Sequence, residues 1–414
     1  MVAIFVLVTV LSGDGEGDSG SVALSVTPTA RARLGASGVE RSSRVLWDFR
    51  TGGGVVSSPA VVDGVVYVGS LDSYVYAVDA ATKEQLWRFE TGDKVYSSPA
   101  VVDGVVYIGS LDNYLYALDA ATGQQRWRFV SGGWTSSPAV DGGMVYIGSW
   151  NSYVYGLDAA TGEERWSFKT GDFVGGTPTV EHGLVYIGSV DDHLYALDAA
   201  TGEERWRFKT GDDVESRPTV VDGLVYIGSK DTYVYALDAA RGEERWRFKT
   251  GGHVFSAPAV IGGVVYVGSL DNYLYALDAA TGEERWRFEA GGDILSSPVV
   301  VDGVVYVGSE DNYVYALDAA TGWESWRFET SGQVRSSPTV VDGVVYIGSD
   351  DQYVYALAAD AGGEPPIATP SPMPSSTAPA STTPAGPAGD ASTRRLARNF
   401  ELRVWSRGPV SNGS

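Results

Sequence analysis

The chain has 414 residues, with 52 acidic against 30 basic side chains and a formal net charge of −22. Such a charge repels nucleic acids and anionic membrane surfaces, so we expect neither as a partner. The sequence contains no cysteine, which excludes disulfides, thiolate metal sites, cysteine nucleophiles and a lipidated cysteine.

The first segment, residues 1–12, is an apolar run with no lysine or arginine before it. It is shorter than the ~20 residues that a membrane helix needs. We interpret it either as a weak signal peptide or as part of a transmembrane helix. An extracytoplasmic location is therefore predicted, whether periplasmic, cell-surface or secreted, with a membrane tether as one option. Residues 13–44 are rich in Gly, Ser and Ala and are predicted to be a linker.

From residue 45 onward a unit of about 40 residues recurs eight times, and a fixed period of this length indicates a solenoid or a propeller. Its clearest copy runs from Val95 to Trp127. Every copy carries one proline and one tryptophan in register. The tryptophans are Trp47, Trp87, Trp127, Trp166, Trp206, Trp246, Trp286 and Trp326.

Each unit is predicted to form four short strands. Asp103-Gly104 lies between two apolar runs, which favours a type I′ hairpin turn joining the first and second strands. A loop then leads to a third strand, and the segment DAATG turns the chain into a fourth. The second and third strands are apolar on both faces, as sheets covered on both sides require. We therefore predict an all-β, eight-bladed β-propeller of four-stranded antiparallel blades.

The two ends of the repeat region complement each other. Residues 45–50 resemble a lone fourth strand, and the last unit stops after its third strand near Leu357. If residues 45–50 join the last blade, the ring closes over residues 45–360 and no strand edge is left unpaired. An open solenoid is disfavoured because no polar caps are visible. Residues 361–393, rich in Pro, Ser, Thr and Ala, are predicted to be a second linker before a basic tail at 394–414.

The turn and fourth strand carry the most specific motif. In the second unit it consists of Ala117, Asp119, Thr122, Gly123 and Trp127. This motif resembles the tryptophan-docking motif of the pyrroloquinoline-quinone-type (PQQ-like) propeller repeat family. The resemblance implies that the eight tryptophans pack between adjacent blades while the aspartate and threonine hold the turn. Single units depart from it at Lys83, Gly156, Arg241 and Ala358.

The sequence argues against catalysis. Quinone-dependent alcohol dehydrogenases, which share this resemblance, carry adjacent cysteines against the cofactor, and these are missing here. The aspartates recur once per unit in two turns, where turn chemistry explains them. No GxSxG elbow occurs, and His182, His193 and His253 lie in different units. The loop sequence LDN is too sparse in carboxylates for a calcium loop. We expect no enzyme, no metal and no cofactor, PQQ included.

Positions that vary between units are predicted to share one face of the ring. They lie three residues before each proline and directly after each Gly-Ser, in loops at the same end of the four-stranded meander. Function concentrates where repeats differ. The candidate partner-binding residues are Trp134, Trp150, Tyr96, Phe173, Phe255, Glu215, Arg217 and Lys230. The alternative interpretation is drift at relaxed loop positions in a recently duplicated gene.

Two functional classes remain open. One is a non-catalytic binding or scaffold propeller, monomeric as a ring, that engages a protein, peptide or glycan and is similar to the propeller of the outer-membrane barrel-assembly machinery. The other is the sensor domain of a membrane receptor, resembling propellers of bacterial Ser/Thr kinases. A PQQ-dependent dehydrogenase is a third alternative.

Overall fold

The computed structural model describes residues 44–359, and the predictions for residues 1–43 and 360–414 lie outside these described residues. The named elements are all β-strands, and they form eight antiparallel sheets of four strands each. The predicted all-β, eight-bladed propeller is thereby confirmed. No helix between residues 44 and 359 is long and apolar enough to cross a membrane.

Seven blades are each built from four consecutive strands. The bounds are Ala60–Val62, Val65–Gly69, Tyr74–Asp79 and Gln85–Glu90 in blade 1; Ala100–Val102, Val105–Gly109, Tyr114–Asp119 and Gln125–Val130 in blade 2; Ala139–Asp141, Met144–Ser149, Tyr153–Asp158 and Glu164–Lys169 in blade 3; Thr179–Glu181, Leu184–Gly188, His193–Asp198 and Glu204–Lys209 in blade 4; Thr219–Val221, Leu224–Gly228, Tyr233–Asp238 and Glu244–Lys249 in blade 5; Ala259–Ile261, Val264–Gly268, Tyr273–Asp278 and Glu284–Glu289 in blade 6; Val299–Val301, Val304–Gly308, Tyr313–Asp318 and Glu324–Glu329 in blade 7.

Blade 8 is made from both ends of the repeat region. Its first three strands are Thr339–Val341, Val344–Gly348 and Tyr353–Ala358, and its fourth is Val45–Arg50. The last two strands pair antiparallel, with Trp47 opposite Ala356. We call Val45–Arg50 the closing strand. The sequence-based prediction that residues 45–50 complete the ring is confirmed.

The hairpin turns form where the sequence predicts them. Asp103 and Gly104 have φ values of +50° and +71°, the left-handed conformation that both central positions of a type I′ turn require. The strand that follows, Val105–Gly109, is buried along its whole length. Neighbouring blades cover both of its faces, which explains why the second strands carry no polar alternation.

The hydrophobic core is divided among the interfaces between blades. Eight apolar clusters each draw side chains from two neighbouring blades. Between blades 4 and 5, for example, Leu194 and Trp206 pack against Val225 and Leu237, all of them buried. Each interface removes apolar surface from water, so adjacent blades stabilise each other around the ring.

The structure places the eight motif tryptophans at these interfaces. Each indole N–H donates a hydrogen bond of 2.8 to 3.1 Å to an alanine carbonyl oxygen in the next blade. Trp206 Nε1 and Tyr186 Oη both donate to Ala239 O, at 3.0 and 3.1 Å. Two side chains of blade 4 therefore link it to blade 5 by donating to the same carbonyl oxygen.

The aspartate of the DAATG turn holds its turn from within. Asp198 Oδ1 accepts hydrogen bonds from the backbone N–H and the hydroxyl of Thr201, at 3.0 and 3.1 Å. Its Oδ2 accepts from Arg205 at 2.6 Å. The Arg205 guanidinium, with the Thr201 donors, lowers the pKa of Asp198 to about 2. These contacts give the repeated aspartates a structural role.

Candidate binding face

The loops of every blade lie at one of two ends. The loop before the first strand and the loop between the second and third strands are joined by a backbone hydrogen bond, such as Trp150 N to Trp134 O at 2.9 Å. The hairpin turn and the DAATG turn are joined in the same way, as by Ala199 N to Gly183 O at 2.9 Å. We call these two loops the leading and middle loops and their side of the ring the variable face. The opposite side, with the two turns, is the constant face.

Blade 3 has a leading loop one residue shorter than that of blade 2. Trp134 O accepts from Trp150 N as Lys94 O accepts from Leu111 N, so Trp134 takes the place of Lys94. Thr135 is fully buried and packs against a glycine of the preceding blade, as Val95 does. Thr135, three residues before the proline of blade 3, is therefore the counterpart of Val95 and not of Tyr96, so counting back from the proline aligns it wrongly. The counterpart of Tyr96 is missing from blade 3.

Three aromatic rings of blades 3 and 4 form a stack on the variable face. The ring centroids of Trp134 and Trp150 lie 4.5 Å apart, and those of Trp150 and Phe173 lie 5.2 Å apart with the planes only 8° from parallel. Phe173 is 42% exposed. We call these three residues the aromatic row. The structure thus brings together three of the eight predicted contact residues.

Two positions next to the aromatic row in sequence are neutral where the other blades carry a charge. Every other fourth strand ends on a charged residue, whereas that of blade 2 ends on Val130, which is 60% exposed. Every other middle loop carries an aspartate where blade 3 has Asn151, which donates to Tyr155 Oη at 2.6 Å. In a chain with a net charge of −22, these two neutral positions distinguish the loops of the aromatic row from those of the other blades.

A second group of predicted residues forms an ion cluster in blade 5. Lys230 Nζ lies 2.8 Å from Asp213 Oδ2 and 2.5 Å from Glu215 Oε1. Burial alone would lower the pKa of Lys230, but Glu215 and Asp213 outweigh it and raise that pKa. Arg217, the third residue of this group, has its Nε donating to Thr179 Oγ1 of blade 4 at 3.1 Å.

The remaining two predicted residues are less central. Phe255 is 3% exposed and packs against Leu295 and Leu270, so it offers almost no surface to a partner. Lys230 Nζ also lies 5.4 Å from the centroid of its ring. Tyr96 is half-buried in the leading loop of blade 2.

Sequence reasoning missed a cluster of three carboxylates between blades 4 and 5. Oxygen atoms of Asp192, Asp212 and Asp213 lie within 4.8 Å of one another, and we call these residues the acidic trio. Burial, together with Asp213 and Asp212, raises the pKa of Asp192. The available signal was Asp192 itself, since other middle loops carry Asn, Ser, Thr or Gln at this position.

Sequence reasoning also missed an exposed tryptophan on the constant face. Trp323 follows the glycine of the DAATG turn in blade 7 and is 77% exposed. Most blades carry glutamate or glutamine at this position. Trp323 is an exposed aromatic side chain on the face opposite the aromatic row, so its substitution can serve as a control for substitutions in the row.

The repeated aspartates of the middle loops are engaged by the protein itself. Asp231 Oδ2 accepts from Tyr235 Oη at 2.6 Å and from Gly211 N at 2.7 Å, while Oδ1 accepts from Tyr233 N at 2.9 Å. Equivalent contacts recur around the ring. These carboxylates therefore hold the middle loops in place. Within the acidic trio, Asp213 is already paired with Lys230.

Comparison with known proteins identifies related folds. A family model described as outer membrane protein assembly factor BamB matches residues 32–136, 111–218, 192–299 and 271–364. BamB from Moraxella catarrhalis is similar in structure with a TM-score of 0.68 and 23% identity, over 76% of this chain and 99% of that one. No curated protein sequence matches the chain significantly.

Two further solved structures are similar. The computationally designed Ika8 protein has a TM-score of 0.69 and 17% identity, covering 75% of this chain and 97% of its own. Quinohemoprotein alcohol dehydrogenase from Comamonas testosteroni has a TM-score of 0.66 and 19% identity, covering 78% and 77%. At these identities the likeness shows the propeller fold alone.

Proposed function

This chain belongs to the family of the outer membrane protein assembly factor BamB, and on that premise we propose that it is a non-catalytic, extracytoplasmic propeller that binds a protein partner through its variable face. The observation that carries the proposal is the aromatic row. Tryptophan and other aromatic side chains are enriched at the centres of protein interfaces, where they supply most of the binding energy.

The setting of the aromatic row supports a role in recognition. Stacking three partly exposed rings beside neutral residues leaves apolar surface in contact with water, which is unfavourable unless a partner covers it. Drift in a duplicated repeat would scatter such changes around the ring. Here Val130 ends the fourth strand of blade 2, and Trp134, Trp150 and Phe173 lie in the next three loops of the variable face.

The proposal assigns no catalytic residue and no cofactor. The repeated carboxylates are engaged in turn and loop hydrogen bonds, and the ionised clusters of the variable face are neutralised in part by Lys230 and Arg335. A general acid or base needs a titratable group within reach of a substrate. Family membership supports the extracytoplasmic location.

Selection of displayed peptides tests the proposal. A phage library of random peptides is selected on the full chain and then counter-selected on the variant Trp134→Lys/Trp150→Leu. This variant gives blade 3 the residues that blade 2 carries at Lys94 and Leu111, so the fold should be unaffected. We expect enriched peptides that bind the native chain and lose at least about tenfold in affinity on the variant.

Trp323→Glu is the matched control on the constant face. It removes the most exposed tryptophan of residues 44–359 and introduces the residue found in blades 3 to 6. Binding should be unchanged. Peptides that depend on Trp323, or a selection that yields none depending on the aromatic row, would contradict the proposal.

A further inference from the structure

We infer that the segment bound on the variable face is an extended, basic polypeptide: one apolar side chain enters a gap beside Trp150, and a neighbouring lysine or arginine lies against the acidic trio. The inference rests on the proposed function and deepens it by naming the chemistry of the partner. It follows from a missing side chain, from the geometry of the aromatic row, and from the charges of blades 4 and 5.

The gap arises where two consecutive blades lack a side chain that the others have. Three residues before the proline, six blades carry a side chain: Val56, Tyr96, Glu215, Phe255, Leu295 and Arg335. Blade 3 lacks this residue because its leading loop is shorter, and blade 4 has Gly175. Gly175 is itself partly exposed, so the surface above it is open to solvent, while Trp150 Nε1 at its border is buried.

The borders of the gap define what fits it. A Cβ atom built on Gly175 would lie 3.5 Å from Trp150 Nε1 and 3.7 Å from Glu215 Oε2, both ordinary contact distances. The indole forms one wall and the Glu215 carboxylate forms the other. An aliphatic or aromatic side chain entering here would bury apolar surface against the indole while its backbone stays near Glu215.

The aromatic row favours a polypeptide over a glycan. A sugar ring needs an open aromatic face, but Phe173 stacks on Trp150 with the planes 8° from parallel, and Trp134 lies against the same ring at a tilt of 38°. What the row presents to solvent is chiefly Phe173, which is 42% exposed, and the adjoining gap. Such a surface suits branched or aromatic side chains, which pack against edges in tilted arrangements.

The charges beside the gap select a cation. Glu215 and the acidic trio contribute four carboxylates. Two lysines oppose them. Lys230 forms salt bridges with Glu215 and Asp213, and the charge of Lys209 favours the ionised form of Asp192. The cluster is therefore negative overall. A lysine or arginine is attracted to it, whereas an acidic residue would be repelled.

The distance between gap and trio sets the spacing. Glu215 borders the gap and Lys230 joins Glu215 to Asp213, so this chain of contacts places the two sites at most about three residues of extended chain apart. We therefore expect the apolar and the basic residue two to four positions apart in one extended segment.

The composition of the peptides that depend on the aromatic row tests this inference separately from the proposed function. They should share an aliphatic or aromatic residue two to four positions from a lysine or arginine. Replacing that basic residue with glutamate in a synthetic peptide should weaken binding at least about tenfold. Affinity should also fall as ionic strength rises from about 0.05 to about 0.5 M.

Two variants of Gly175 test the gap directly. Gly175→Phe places there the side chain that blade 6 carries at Phe255 and should abolish binding of the selected peptide, while Gly175→Ala should weaken it less. Unchanged melting temperatures would show that both variants fold. Trp323→Glu again serves as the unaffected control.

The outcomes separate the two proposals. Peptides that depend on the aromatic row but are acidic, or that bind Gly175→Phe as tightly as the native chain, would overturn the inference and leave the binding function standing. Binding to a neutral glycan array that is lost in Trp150→Leu, without any peptide binding, would overturn it as well. A selection without row-dependent peptides would refute the function itself.

Discussion

At the scale of single residues, the ring is held by indoles that reach from one blade to the next. Ala239 O accepts from both Trp206 Nε1 and Tyr186 Oη. Removing one donor therefore leaves the carbonyl satisfied, and the loss is limited to that hydrogen bond. Removing the whole ring instead leaves a cavity at the interface between blades 4 and 5.

Trp206→Phe should accordingly lower the free energy of unfolding by about 1 kcal/mol. Trp206→Ala should lower it by about 3 to 5 kcal/mol, because the lost packing and the cavity add to the lost hydrogen bond. Urea denaturation followed by circular dichroism measures both. Equal losses for the two variants would mean that packing contributes little and that the N–H donor dominates.

Some site residues were predictable from the sequence and others were not. The docking tryptophans recur in register with fixed turns, so one motif locates all eight. Trp134 was found as a departure from the repeat, but its position opposite Trp150 depends on a one-residue deletion that counting from the proline hides. Phe255 looked like a contact residue, yet Leu295 of the next blade buries it. The acidic trio forms only when blades 4 and 5 lie side by side.

At the scale of the turn, the carboxylates of the DAATG segments tie stability to pH. In three of these turns the pKa of the aspartate is lowered from the usual 3.8 to about 2. The largest cause in each is a hydrogen bond from an arginine. The pairs are Arg165 with Asp158, Arg205 with Asp198, and Arg285 with Asp278. A lowered native pKa contributes stability above the unfolded value, and that stability is lost as the pH falls through the native value.

The melting temperature should therefore fall as the pH is lowered from about 4 to about 2. Calorimetry across this range measures it. Asp198→Asn removes one contributor, so its melting temperature should lie below that of the native chain above pH about 4, and the difference should shrink as the pH falls to about 2. A native chain whose melting temperature is constant between these pH values would contradict the assignment.

The turn glycines fall into two kinds. Gly202 and Gly223 both have positive φ, +74° and +76°. A Cβ on Gly202 would lie 2.5 Å from Trp166 Cε3, whereas nothing lies within 4 Å of one on Gly223. Only the first glycine is required by packing as well as by backbone conformation.

Gly223→Ala should therefore destabilise the protein by about 1 to 2 kcal/mol through backbone strain alone. Gly202→Ala should cost more, because the docked indole must also move, by roughly 1 to 3 kcal/mol of overpacking. Chemical denaturation of the pair measures the difference. Equal values would show that the indole shifts freely at the interface.

At the scale of the whole molecule, the repeat fixes the architecture but closure depends on six residues. The closing strand supplies the edge that blade 8 lacks and places Trp47 between blades 8 and 1, where its Nε1 donates to Ala80 O at 2.8 Å. The sequence predicts this because a spare fourth strand and a missing one occur at opposite ends.

Deleting residues 45–50 should lower the melting temperature of the entire ring. The loss includes the buried indole, about 3 to 5 kcal/mol alone, and leaves the edge of Tyr353–Ala358 open to pairing with other chains. Calorimetry and size-exclusion chromatography measure the two effects. An unchanged melting temperature and a monomeric elution volume would contradict the closure.

The closing strand also determines how the ring responds to mechanical force. Val45 lies opposite Leu357 and Arg50 opposite Tyr353, so the segments before and after the propeller leave from the same end of one antiparallel pair. Tension between those segments peels the pair apart one hydrogen bond after another, starting at Val45. Pulling on both segments would therefore open the ring between the closing strand and Tyr353–Ala358, while the other seven blades carry no load.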